Sequence, residues 1–278
     1  MRFPRRTALT LFIGALIGSC GPKPETTKAP SSIPVLDTKE TAFVRGHQLY
    51  LRQQLDSAAI LLKRAVSLDP AYREPIADLG ALYYDLGVRE PEKSRGRLDN
   101  FKRSLTYYAK LDSLGANDSD LYERLSEICS TLEEHKLYLR YAKKNQEAYP
   151  YDRQYLNLIL GYLNVNDYAN AVIIAKDATE KFKESPYIGS YYRQLGRAYM
   201  KVDRDQTAER SFDVGLKIID VRIAALKKNN KEYTSSEEYR RLMDDKVGIL
   251  ISLKGLHQRY RAFDKLERVE RQLKEATQ

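Results

Sequence analysis

A small residue recurs along this chain as Gly46, Gly80, Ser126, Gly161 and Gly196, at spacings of 34, 46, 35 and 35. Leu stands directly before it in four cases, as Leu79, Leu125, Leu160 and Leu195, and Arg45 precedes the first. The pattern is fullest around Gly196. Tyr192, Leu195 and Tyr199 fall at i, i+3 and i+7, with the glycine at i+4, and Ala208, Phe212 and Gly215 follow at i, i+4 and i+7. Both are helix periods, and Val202-Asp203-Arg204-Asp205 between them reads as a short polar turn. Gly196, Ala208 and Gly215 leave room for a neighbouring helix to approach the backbone. One such hairpin cannot bury its own apolar stripe, so the repetition predicts hairpins stacked along a continuous core.

The other units carry the same marks with local departures. The first has Ala58, Leu62 and Ala65 on its second helix, then Asp69-Pro70. Pro70, Pro150 and Pro186 each close a second helix, because proline cannot donate the next helical hydrogen bond. The second unit carries about 12 extra residues within Arg89–Asn100, charged and containing Pro91 and Gly96, which read as an enlarged turn before Phe101, Leu105 and Tyr108. The third has Tyr122, Leu125, Ser126 and Cys129, then Tyr138 and Ala142, and the fourth has Tyr168, Ala171, Ala175 and Ala178. After the fifth, the helix is expected to run to about Lys228 and to end at Asn229-Asn230. Ser235 and Glu238 have capping-box spacing. A further helix pair is expected over 237–253 and 257–276, with Gly248 and Gly255 where a degenerate sixth repeat would have them.

This pattern resembles the tetratricopeptide repeat, a helix–turn–helix unit of about 34 residues. The resemblance implies an all-α fold: a right-handed superhelical solenoid of five such hairpins, with residues 221–278 supplying an extended helix, a loop and capping helices, or a degenerate sixth hairpin. It also implies a concave groove lined by the first helix of each unit. Its inward positions correspond here to Phe43, His47 and Tyr50, then Ala77, Ala81 and Tyr84, then Glu123 and Glu127, and finally Arg193 and Arg197. Glu123/Glu127 and Arg193/Arg197 are like-charge i, i+4 pairs, each disfavouring a helix by roughly 0.2–0.5 kcal/mol. A ligand of opposite sign would give such pairs a use; neutralisation by neighbours or solvent is the plainer account. The Lys and Asn residues of the carboxylate clamp that binds chaperone tails are not reproduced.

Residues 1–19 have the form of an export signal: Arg2, Arg5 and Arg6, then an apolar run from Ala8 to Ile17 that is too short to remain in a bilayer. Ile17-Gly18-Ser19-Cys20 resembles the lipobox of bacterial lipoproteins. That resemblance implies cleavage before Cys20, lipid on its sulfur and attachment to a membrane. Gly21, where Asp would favour inner-membrane retention, implies the periplasmic face of the outer membrane. Residues 20–38, with Pro22, Pro24, Pro30 and Pro34, are expected to form a disordered, semi-extended tether ahead of an array over 39–220.

Charge and chemistry narrow the function. The chain carries a formal +9, three of these charges from the leader arginines; residues 222–278 contain 14 Lys/Arg against 9 Asp/Glu, a bias that reads as a solvated helix face. Basic residues interleaved with acids on an exported chain argue against nucleic acid. With Cys20 assigned to lipid, only Cys129 remains, so no internal disulfide is expected. His47, His135 and His257 lack metal-ligand spacing, and no phosphate loop, zinc-protease helix or nucleophile elbow is present. The expectation is therefore a non-enzymatic adaptor of the bacterial envelope without cofactor, catalytic residue, metal or small-molecule substrate. It would bind another envelope protein or peptide segment through the groove. A self-associating structural lipoprotein stands as the alternative, and an enzyme with an unrecognised site as the minor one.

Overall fold

The computed structural model describes residues 38–229 and 232–277. The leader, Cys20 and residues 20–37 of the expected tether lie outside them. Among the described residues the chain forms twelve α-helices and no strand: α1 (Lys39–Leu51), α2 (Leu55–Leu68), α3 (Arg73–Arg89), α4 (Arg95–Ser113), α5 (Ser119–Thr131), α6 (His135–Ala148), α7 (Asp152–Asn164), α8 (Tyr168–Lys181), α9 (Ile188–Lys201), α10 (Asp205–Asn229), α11 (Glu237–Arg259) and α12 (Phe263–Thr277). Consecutive helices pack as six hairpins, and each hairpin packs on the next.

The hairpin turns share one backbone device. Gln53, Lys93, Glu133, Asn166, Asp203 and Arg261 all have positive φ, between 49° and 62°, one in each hairpin turn. In five of the six turns the next residue's N–H reaches back to a carbonyl five residues earlier: Gln54 to Leu49, Glu134 to Cys129, Asp167 to Tyr162, Arg204 to Tyr199 and Ala262 to His257. This left-handed residue followed by a long backward bond closes the first helix and satisfies its orphan carbonyls. The next helix then starts within a few residues, at a fixed angle. Several helix starts are capped by side chains. Thr38 and Thr41 make a capping box, while Ser94, Asp118 and Asp167 accept from the amides of Arg97, Leu121 and Asn170.

Small residues set the closest approaches. A Cβ on Gly196 would lie 2.3 Å from Cε1 of Phe212, so the ring rests directly on the α9 backbone. In the second hairpin Gly80 faces Tyr108 and Gly87 faces Phe101, each with a hypothetical Cβ 2.5 Å from the ring. Two turns of α3 thus register against two turns of α4, and Ser104 donates to the Gly80 carbonyl at 2.8 Å.

Three expectations are corrected here. The extra residues of the second unit lengthen its helices: α3 and α4 have 17 and 19 residues, and the turn occupies only Glu90–Ser94. Pro91 lies in that turn, but Gly96 lies in the first turn of α4. The cap before α11 is Ser236, whose hydroxyl accepts from the Tyr239 amide at 3.1 Å, while Ser235 ends a 3₁₀ turn. Finally, α11 does not break near residue 255. It runs through Gly255 to Arg259, because the left-handed residue that turns the chain is Arg261.

The core runs the length of the array. Leu55, Leu62, Leu79 and Leu82 gather in the first part, Phe101, Tyr122, Leu125, Ile128 and Tyr141 in the middle, and Ile159, Tyr191, Phe212, Ile219, Leu242, Ile249 and Leu253 in the last. Val66 and Tyr107 join the first group to the second, and Ile174 joins the second to the third. Leu242, Ile249, Leu253 and Val269 belong to the same cluster as α9 and α10, so α11 and α12 complete the core. Asp205, at the start of α10, accepts from Tyr260 at 2.6 Å and Arg259 at 3.0 Å and ties down the far end of α11.

Candidate binding face of the first helices

The odd-numbered helices of successive hairpins are linked by polar side chains. Between α1 and α3, His47 Nδ1 lies 2.7 Å from Asp78 Oδ2, and the Tyr50 hydroxyl donates to Asp85 at 2.6 Å. Between α3 and α5, the Tyr84 hydroxyl donates to Glu127 Oε2 at 2.5 Å. Between α5 and α7, Gln154 donates to Glu123 Oε1 at 3.1 Å and Arg153 pairs with Glu123 at 3.3 Å. Between α9 and α11, Ser190 donates to Asp245 at 2.5 Å, and Arg193 Nη1 reaches the same carboxylate at 3.4 Å.

The electrostatics follow from burial. Desolvation, with the Asp85 carboxylate as acceptor, pushes the Tyr50 phenol well up, and desolvation plus Glu127 does the same for Tyr84. Both rings therefore stay neutral donors. Burial raises the Asp78 carboxyl against the opposing bond from His47, and it raises the Asp245 carboxyl against Ser190 and Arg193.

The residues mapped to the groove meet different fates. Phe43 packs on Tyr72, with ring centroids 5.4 Å apart, and joins the first core group. His47, Tyr50 and Tyr84 are half-buried and linked to the next first helix. Ala77 is half-buried against the middle core. Glu123 is paired with Arg153 and accepts a hydrogen bond from Gln154, whereas Glu127 stays exposed. Arg193 is drawn into the α9–α11 contact. A Cβ on Gly248 would lie 2.3 Å from its Cζ, so the guanidinium lies flat against the α11 backbone, with a buried Nε that has no partner. Arg197 is exposed and bonds Gln194 at 2.8 Å, and desolvation and then Arg193 hold its pKa below the ordinary arginine value. Of the two like-charge pairs, one member of each is neutralised internally and the other, Glu127 or Arg197, faces solvent.

Sequence reasoning missed the partners Asp78, Asp85, Gln154 and Asp245. For the first helices a signal existed: each complementary polar residue stands about one repeat further on, 31 residues for His47–Asp78 and 35 for Tyr50–Asp85.

The face is open on both sides of α5. No Cα of α5 comes within 8 Å of α3 or α7, whereas α1 and α3, α7 and α9, and α9 and α11 pack directly. On the α7 side lies a cleft of 420 Å³ lined by Asp120, Glu123, Glu127, Arg124, Arg153 and Ser126, with Tyr138 of α6 and Asn157 beside them. Ser126 is 4% exposed and its Oγ has no hydrogen-bond partner. An unmade bond at a buried hydroxyl costs about 1–3 kcal/mol. Arg124 is occupied by the Tyr108 hydroxyl at 3.0 Å and lies over the Tyr84 ring. Among the described residues no group of three or more His, Cys, Asp or Glu is arranged to hold a metal, and no helix is long and apolar enough to cross a membrane.

No protein-family model matches the sequence, and no curated protein matches it. Solved structures do match. YrrB, described as a tetratricopeptide-repeat protein with an unusual peptide-binding site, aligns with a TM-score of 0.51 and 17% identity, over 66% of this chain and 87% of that one. MamA aligns with a TM-score of 0.49 and 18% identity, over 65% of this chain and 91% of that one. With six stacked hairpins, small residues at the helix crossings and this structural likeness, the described chain is an all-α solenoid of tetratricopeptide-like repeats.

Proposed function

We propose that this protein is a lipid-anchored adaptor of the bacterial envelope that holds a protein or peptide partner on the face formed by its first helices. The observation that carries the reading is the polar ladder on that face. Most of its charges are internally paired, yet Glu127 and Arg197 remain exposed and the α5–α7 cleft remains open. A rigid surface with a few free charges of both signs favours a partner of matching pattern, basic near α5 and acidic near α9. The peptide-binding site reported for YrrB is in keeping with such a use of the fold. The anchor rests on Cys20 and the residues before it, and the location at the periplasmic face of the outer membrane rests on the residue after it.

The reading is tested in cells expressing the full chain. Glu127→Lys with Arg197→Glu should abolish chemical crosslinking to a partner while leaving the helical circular dichroism unchanged; undiminished crosslinking sinks the binding face. Cys20→Ala should move the protein from the membrane fraction to the soluble fraction, and retention in the membrane sinks the anchor.

A further inference from the structure

We propose that His257 is an acid-sensitive latch: protonation of its imidazole loosens α12 from the end of the array. α12 is the least secured helix of the solenoid. Every other second helix packs on its own first helix and on the next one, whereas α12 packs on α11 alone. Among the described residues of α12, Val269 is the one that is buried.

The last hairpin also departs from the others at two corresponding places. Leu49, Cys129, Tyr162 and Tyr199 each stand four residues before the left-handed residue of their turn, and His257 takes that place before Arg261. Gly46 meets Leu62, and Gly196 meets Phe212, where the two helices of their hairpins cross. Lys254 and Glu270 hold the equivalent positions in the last hairpin and form an ion pair at 2.9 Å, with side chains 36% and 47% exposed. A pair so open to water contributes little. The polar tie from α12 to α10 is Lys265, whose Nζ lies 2.7 Å from Glu209 Oε1.

His257 competes for that tie. It is 5% exposed and lines a cavity of 270 Å³ with Asp205, Glu209, Tyr260 and Lys265. Its Nε2 lies 3.9 Å from the same Glu209 oxygen that Lys265 holds. The charged and titratable groups facing it are Asp205, Glu209 and Asp213 of α10, Lys265 of α12, and Arg259 and Tyr260 at its own end of α11. Asp205 is taken by Arg259 and Tyr260, and burial raises the Asp213 carboxyl. Burial lowers the imidazole pKa below 6.5; Lys265 acts with burial, and Glu209 and Asp213 oppose it. The docked state therefore binds a proton less readily than the released one. Docking is complete above pH 6.5 and weakens as pH falls below it. A proton on His257 places a cation beside Lys265 and draws on the carboxylate that anchors it. Release of α12 uncovers Leu250 and Leu253, which share a core cluster with Val269, so acid opens an apolar face of α11.

The test is hydrogen–deuterium exchange of the full chain in detergent at pH 7.5 and 5.5, read by mass spectrometry and corrected for the intrinsic pH dependence of exchange. Amides of α12 should lose protection by up to about tenfold at pH 5.5, the ceiling that one displaced proton sets one unit below 6.5. Amides of α1 to α9 should keep theirs. His257→Gln should remove the response and leave α12 protected at both pH values. Lys265→Met, a change at a side chain 57% exposed, should raise the His257 titration midpoint measured by NMR. Unchanged α12 protection between the two pH values overturns the proposal, as does an equal response in His257→Gln. Equal loss of protection across all helices also overturns it, because that is global unfolding. If His257→Gln does not fold, Lys265→Met decides, and a His257 midpoint that does not move overturns the latch.

Discussion

Asp245 of α11 holds the Arg193 guanidinium of α9 at 3.4 Å, and the pair lies where the sixth hairpin meets the fifth. The aspartate side chain is 6% exposed and the arginine 30%, and the buried carboxylate is compensated first by the Ser190 hydroxyl at 2.5 Å and then by Arg193. Removing the carboxylate would leave Arg193 pressed on Gly248 without a counter-charge, and Ser190 without its acceptor. Asp245→Ala should therefore cost about 2–3 kcal/mol. A urea titration of the purified protein, followed by circular dichroism, measures it.

Gly196 predicts an overpacking penalty. Its hypothetical Cβ meets the Phe212 ring at 2.3 Å, and that ring is fully buried, so it has little room to give. Gly196→Ala should destabilise by about 1–3 kcal/mol. Combining it with Phe212→Leu should recover part of the loss, a non-additivity that a double-mutant cycle in thermal unfolding reads directly.

Glu133 predicts a gain. It turns the third hairpin with φ 58°, a conformation that strains an L side chain, and it is exposed. Glu133→Gly should stabilise by about 0.5–1 kcal/mol, the relieved strain less the entropy that glycine adds to the unfolded chain. The urea midpoint reports it.

Cys129 predicts an alkaline loss of stability. Burial, then Glu134, pushes its thiol from 9.0 up to about 12. The folded state therefore keeps the proton that the unfolded state releases. That contribution is complete below pH 9 and disappears as pH rises toward 12. The stability difference between wild type and Cys129→Ala should shrink as thermal unfolding is repeated from pH 8 to 11. At pH 8 the folded thiol should react far more slowly with a disulfide reagent than the thiol of the unfolded chain.

Much of this fold was legible because the repeat rests on local rules. Leu next to a small residue, then an aromatic or small residue one hairpin leg later, fixes which faces meet. Reading failed where local chemistry was ambiguous. The charged residues around Gly96 looked like a turn, yet they solvate the outer face of a longer α4. Gly255 looked like a break, but it is an ordinary α11 residue with open space beside it. Two adjacent serines offered two caps, and Ser236 took the role. For the binding face, the positions on the first helices were readable and their partners were not. The Arg193 partner lies 52 residues on, beyond the usual repeat, because α10 is 25 residues long and pushes the next first helix out of register.

Site-specific photo-crosslinking in cells tests the central claim most directly. A photoreactive residue is placed at Glu127 or Arg197 on the first helices, and in separate strains at Ile60, Ile173 or Val221, which are exposed on α2, α8 and α10. The account predicts one partner protein crosslinked from Glu127 and Arg197 and none from the other three positions. Crosslinks from Ile60, Ile173 or Val221 alone, with none from Glu127 or Arg197, would contradict it.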